Sequence, residues 1–264
     1  MTSSAKPILL VCNTRTGSTA LGTALALSNP DLAFYGEAFN PSGIELRTSF
    51  PYWLRDKNVS ARRLIADKFN LCRDYLSARI AGRGKKIVLL GVKYHDLLNF
   101  MPVPALFDFV PELFAATRAL DGGIVHLVRG NTFDSAISAL VAQRRRVFHV
   151  QVGSNLPSMD ETFDISPSAI SQQVRMRVVQ EIVARKQIHV SNCRSTEIKY
   201  EDIFGEHPSQ SIADLARVFG IPLKMDKVAH QKIGRHYPSI VSNFKELADV
   251  SRSWQYDNWP VRNI

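Results

Sequence analysis

The sequence predicts an α/β domain of three layers, α/β/α, with a mainly parallel central sheet. Three observations predict it. Short, continuous apolar runs of strand length recur along the chain; segments with helical periodicity separate them; and the first run is followed by a glycine-punctuated polar loop and then an Ala/Leu-rich helical stretch. The runs are 7–12 (PILLVC), 86–92 (KIVLLGV) and 124–128 (IVHLV), with a fourth at 196–200. Runs without polar alternation suit strands covered on both faces, as parallel strands are.

Helical spacing is read over 18–27, 60–80, 109–120, 131–148 and 168–187. In the last, Val174, Val178, Val179, Ile182 and Val183 are the expected apolar stripe. Two proline-bearing stretches, 40–55 and 150–166, show little periodicity and read as long loops, the usual place for substrate lids. Phe50, Tyr52 and Trp53 in the first, and Phe148 just ahead of the second, suit either sugar stacking or core packing. No internal repeat divides the 264 residues, and the whole of 1–264 is read as one domain.

Thirty-three Lys and Arg against 24 Asp and Glu leave a net charge of +9, which points to an anionic partner without choosing its class. The three cysteines, Cys12, Cys72 and Cys193, match no metal or redox spacing and are odd in number, so a reducing compartment is expected. The N-terminal apolar run is too short for a signal peptide or a membrane span, and a soluble cytoplasmic protein with no integral membrane segment is expected.

Asn13-Thr14-Arg15-Thr16-Gly17-Ser18-Thr19 lies between the first strand and the first helix. There, free backbone N–H groups and the positive end of the helix dipole favour an anion. Gly17 allows close backbone approach, Thr16, Ser18 and Thr19 add hydroxyls, and Arg15 offers a planar fork of donors. The alternative is an N-capped helix after a tight turn. A Walker A lysine is absent, which weighs against an ATP or GTP hydrolase.

The string Thr14 to Thr19, followed by Ala20-Leu21, resembles the 5′-phosphosulfate loop of sulfotransferases that use 3′-phosphoadenosine 5′-phosphosulfate (PAPS). It is most similar to the bacterial group that includes the trehalose 2-sulfotransferases and nodulation-factor sulfotransferases, with Thr14 where proline is usual. The resemblance implies a P-loop-like sulfotransferase fold, no metal, and transfer of a sulfuryl group to a hydroxyl of a small-molecule or glycan acceptor, releasing 3′-phosphoadenosine 5′-phosphate (PAP).

Within that resemblance, His126-Leu127-Val128-Arg129-Gly130-Asn131 and the helix after it match the segment that grips the 3′-phosphate. Arg129 and Ser138 are the implied ligands, with Ser135 as the competing hydroxyl. Gln231-Lys232-Ile233-Gly234-Arg235 resembles the basic segment that closes over the nucleotide, which brings in Lys232 and Arg235. Arg15 and Lys93 are the cations implied on the leaving-group side.

Two residues compete as general base. Glu37, in Phe34-Tyr35-Gly36-Glu37, matches the glutamate of the trehalose enzyme's group; His95, in Lys93-Tyr94-His95, matches the histidine of cytosolic sulfotransferases. Glu37 is preferred.

Two other readings are set beside this one. A P-loop kinase or nucleotide-binding protein should carry a P-loop lysine and a metal-holding aspartate, for which Asp96 is the only candidate. A nucleic-acid binder is suggested by the charge and by Arg144-Arg145-Arg146, but a run of this kind is usually a solvated helix face, and no nucleic-acid partner is expected. A homodimer is left open.

Overall fold

The computed structural model describes residues 5–41, 46–81, 84–97, 110–145, 162–204, 209–225 and 237–253. In chain order its elements are β1 (Lys6–Cys12), α1 (Ser18–Ser28), β2 (Leu32–Glu37), α2 (Phe50–Asp56), α3 (Ala61–Ala66), α4 (Lys68–Ala81), β3 (Ile87–Lys93), α5 (Tyr94–Leu97), α6 (Glu112–Ala119), β4 (Gly123–Val128), α7 (Thr132–Arg145), α8 (Pro167–Ser191), β5 (Arg194–Lys199), α9 (Tyr200–Ile203), α10 (Ser209–Phe219), α11 (Tyr237–Ile240) and α12 (Phe244–Ser253). The five strands form one all-parallel sheet in the order β2-β3-β1-β4-β5.

The alternating side-chain directions of the central strands produce the three layers. Leu9, Val11, Val88, Leu90 and Val92 face α4, α6 and α8 on one side of the sheet. Ile8, Leu10, Cys12, Leu89, Val125 and Leu127 face α1 and α10 on the other. A third cluster joins α7 and α8 to α11 and α12 through Ile137, Val174, Tyr237 and Leu247. All three cysteines are buried and unpaired, and no described helix is long and apolar enough to cross a membrane.

Differences from the sequence reading lie at the margins of the sheet and in the loops. β2 was not expected. Its run is broken by the exposed Gly36, where the register with β3 shifts between Tyr35 and Glu37. Gly91 of β3 accommodates this irregular edge, since a Cβ there would meet the Gly36 carbonyl oxygen at 2.1 Å. The 40–55 stretch contains α2, which begins at an N-capping Ser49 with proline in its first turn.

Phe50 and Trp53 there resolve toward core packing, whereas Tyr52 is half-buried under the Arg55 guanidinium. Phe50 is buried, and its ring contacts Phe39, Trp53 and Tyr75. The single helix expected over 60–80 is divided at Asp67, which leaves helical geometry and accepts from Asn70 in the following turn at 2.5 Å.

On α8 the buried stripe is Ile170, Val174, Arg177, Ala184, Gln187, Ile188 and Ser191, and Val179 is exposed. Of the expected apolar stripe, Val174 lies on this buried face and Val178 packs against the third cluster, whereas Val179 lies outside it. The polar Arg177 and Gln187 share the buried stripe, and Arg177 does so with its two terminal nitrogens hydrogen-bonded and its Nε without a partner among the described residues.

Candidate functional site

The strand order sets where a site can form. From β1 the chain runs out to β2, returns to β3, and crosses to β4 and β5, so the connections leaving β1 and β4 diverge. The carboxyl ends of those two adjacent strands are the switch point, whose crevice is where ligands of open α/β sheets bind. Arg15 follows β1 and Arg129 follows β4, so the turns read from the sequence as two anion-binding segments flank this crevice.

The first turn is shaped by two residues with left-handed backbone, Arg15 (φ 63°) and Gly17 (φ 83°). A non-glycine residue at positive φ is a strained choice, typical of ligand clamps. Gly17 cannot be replaced easily: a Cβ would lie 2.6 Å from the Tyr200 ring. It precedes α1 as N-cap without a side-chain cap hydrogen bond, so no side chain satisfies the first N–H groups of the helix from that position.

The loop is otherwise tied internally. Thr16 Oγ1 donates to the Asn13 carbonyl at 2.8 Å, and Asn13 Oδ1 accepts from the Thr14 N–H at 2.8 Å. At the start of α1, the Lys93 ammonium, 4% exposed, donates to Ser18 Oγ at 2.6 Å. Thr19 is half-buried on the first turn of that helix.

The two turns are joined directly. Arg15 Nε donates to Ser138 Oγ on α7 at 3.2 Å, and Arg129 Nη1 donates to the Arg15 carbonyl at 3.1 Å. The guanidinium of Arg129 also lies over the Tyr200 ring, 5.1 Å from its centre. The backbone N–H groups after Arg129 are held by Glu201, whose carboxylate accepts from Gly130 at 3.0 Å and Asn131 at 3.3 Å. Asn131 in turn accepts from the Asp134 N–H at 2.9 Å at the start of α7.

Arg177 and Tyr200 were not singled out in the sequence. Arg177 reaches from α8 to the Thr14 carbonyl at 2.8 Å, Thr14 Oγ1 at 3.2 Å and Ser135 Oγ at 2.9 Å. Both serines considered for the 3′-phosphate therefore accept from arginines, Ser138 from Arg15 and Ser135 from Arg177. Burial lowers the pKa of Arg15, opposed by Tyr237 and reinforced to a smaller extent by the charge of Arg129. Burial and then the charges of Arg129 and Arg15 bring Arg177 down to about 10.

The second group lies at the carboxyl ends of β2 and β3, where Glu37 pairs in register with Gly91. Glu37 is half-buried and accepts from Asn40 Nδ2 at 2.7 Å. His95, with a side chain 46% exposed, places Nε2 3.3 Å from Asp96 Oδ1, outside hydrogen-bond geometry. The other Asp96 oxygen accepts from the Lys93 N–H at 2.9 Å. Burial chiefly, with the Glu37 charge, raises the pKa of Asp96 against the Lys93 hydrogen bond and the His95 charge. The Lys93 backbone and the His95 ring thus flank one buried carboxylate, on which the charge of Glu37 also acts.

Lys232 and Arg235 lie outside the described residues, as do Phe148 and most of the 150–166 stretch. No protein-family model matches the chain, and no match is found among curated proteins.

Proposed function

We propose that the protein transfers a sulfuryl group from PAPS to a hydroxyl of a carbohydrate-like acceptor. The observation that carries the reading is the meeting of the β1 and β4 turns, through Arg15, Ser138 and Arg129, at one crevice of the sheet. An adenosine nucleotide with phosphate groups at two ends needs two such cation-bearing turns within one ligand's reach. Lys93 and Ser18 supply a further cation and hydroxyl beside the start of α1, suited to charge growing on a leaving phosphate oxygen.

In the reaction the acceptor oxygen attacks sulfur, the bond from sulfur to the phosphate oxygen breaks in line, and a base takes the acceptor proton. PAP leaves with the electron pair of the broken bond. Glu37 is the preferred base because it stands at a strand end beside Lys93 and Asp96, with one oxygen held by Asn40. His95 serves the same cluster from its exposed edge.

Calorimetric titration with PAP, 5′-AMP, ATP and NAD tests the binding. PAP should bind more tightly than 5′-AMP, and Arg129→Ala should lose about 1.5–3 kcal/mol of PAP affinity, roughly 10- to 150-fold. Equal affinity for PAP and 5′-AMP would remove the second phosphate site. Acceptor screening with labelled PAPS tests the transfer. Glu37→Gln should lower turnover by about 100-fold or more with PAP affinity retained, whereas full turnover in that variant with loss in His95→Ala would give the base role to His95.

A further inference from the structure

Arg177 belongs to neither strand-end turn, yet its side chain touches both sides of the crevice. It is 3% exposed. Its donors reach the backbone and hydroxyl of Thr14 on the first turn and the hydroxyl of Ser135 on α7. Its Nε has no hydrogen-bond partner among the described residues, and the same holds for Nε of Arg129. Among the described residues no carboxylate forms an ion pair with either.

A buried guanidinium that meets neutral acceptors only, close to two others, leaves positive charge unbalanced. On the same helix Arg185 is compensated by the carboxylates of Glu181 and Glu197, and among the described residues Arg177 has no such pair. A multiply charged anion would supply the missing counter-charge.

We infer that Arg177 is a positioning residue of the bisphosphate site: it fixes the Thr14 segment against Ser135, and its charge is balanced by the bound ligand. This rests on the reading of the crevice as a nucleotide bisphosphate site and extends it to a side chain from the middle of α8. Two consequences separate the role from ordinary packing. Ligand affinity should depend on the charge of Arg177, visible as a change in salt dependence, and on its forked geometry, visible when lysine replaces it.

The test is titration of the full chain with PAP, and separately with inorganic pyrophosphate, at several salt concentrations. Wild type, Arg177→Gln and Arg177→Lys are compared, with circular dichroism and thermal melting to follow folding. Arg177→Gln should weaken PAP binding about 30-fold and flatten its salt dependence. Arg177→Lys should keep the wild-type salt dependence and bind roughly 5-fold more weakly than wild type, because one ammonium cannot hold the Thr14 segment and Ser135 together.

Wild-type PAP affinity in folded Arg177→Gln overturns the inference while leaving the nucleotide reading intact. Failure of wild type to bind either PAP or pyrophosphate overturns both. If Arg177→Gln does not fold, Arg177→Lys decides, and wild-type affinity in that variant refutes the role.

Discussion

Two of the arginines of helix α8, eight positions apart, are treated by the protein in opposite ways. Arg185 donates to both carboxylate oxygens of Glu197, at 2.7 and 2.9 Å, and pairs with Glu181 one turn earlier at 2.7 Å. Burial acts to lower its pKa, but the Glu197 hydrogen bond and the two carboxylate charges outweigh it and the value rises. Arg177 has no such carboxylate among the described residues, and its pKa falls. One is a charge compensated for the sake of the fold; the other meets no carboxylate among the described residues, and in the proposed reading the ligand balances it. The difference sets a structural arginine beside the one proposed to serve the ligand, without appeal to motif.

The Arg185 group extends inward. His126 Nδ1 donates to Glu197 at 2.8 Å, and its other ring nitrogen accepts from the Tyr94 hydroxyl at 2.6 Å. Tyr94 follows Lys93, and His126 is three residues before Arg129, so this chain of hydrogen bonds braces the strands that carry both parts of the site. Burial would raise the pKa of Glu197, but the hydrogen bonds from His126 and Arg185 prevail and hold it at about 2.

If the contrast is sound, removing Glu197 should damage the fold and spare the ligand. Glu197→Gln is expected to lose about 1–2 kcal/mol of stability, a range kept low because the carboxylate is partly exposed. PAP affinity should stay within roughly 2-fold. Denaturant melts and titration calorimetry measure the two quantities, and a large loss of affinity with little loss of stability would erase the distinction.

The pH dependence has a defined sign. A carboxylate held below its ordinary value of 4.5 stabilises the folded state fully above that value, and this contribution fades as the pH falls toward about 2. Wild type should therefore lose stability over that window more steeply than Glu197→Gln, which lacks the group.

The same contrast explains what could be read from the sequence. β1, β3 and β4 were legible because strands buried on both faces leave unbroken apolar runs. β2 lies at the edge, with Phe34 and Ala33 half-buried and Gly36 interrupting it, so its pattern is weak. β5 was placed only approximately, because Arg194, Glu197 and Lys199 give this other edge strand the charged character that guards against aggregation.

Arg15 and Arg129 stood out because each follows a strand in a turn. Arg177 did not, because a basic residue within a helix that also carries Arg175, Arg185 and Lys186 ordinarily means a solvated face. Its signal was available in the spacing: Arg177 stands three positions after Val174 and seven before Ala184, on the stripe that is buried. A charge at such a position must be paired, or it must be functional.

The smallest expected effect sharpens the comparison at the level of single hydroxyls. Ser135 accepts from Arg177 and Ser138 from Arg15, and both are buried. Ser138→Ala should weaken PAP binding about 5-fold, the size of one neutral hydrogen bond, with stability changed by less than about 0.5 kcal/mol. Ser135→Ala should act the other way, costing about 1 kcal/mol of stability because a buried donor of Arg177 loses an acceptor, with a smaller change in affinity. Measured side by side by melting and calorimetry, the reverse pattern would assign the phosphate contact to Ser135 and leave Ser138 as the hydroxyl that orients Arg15.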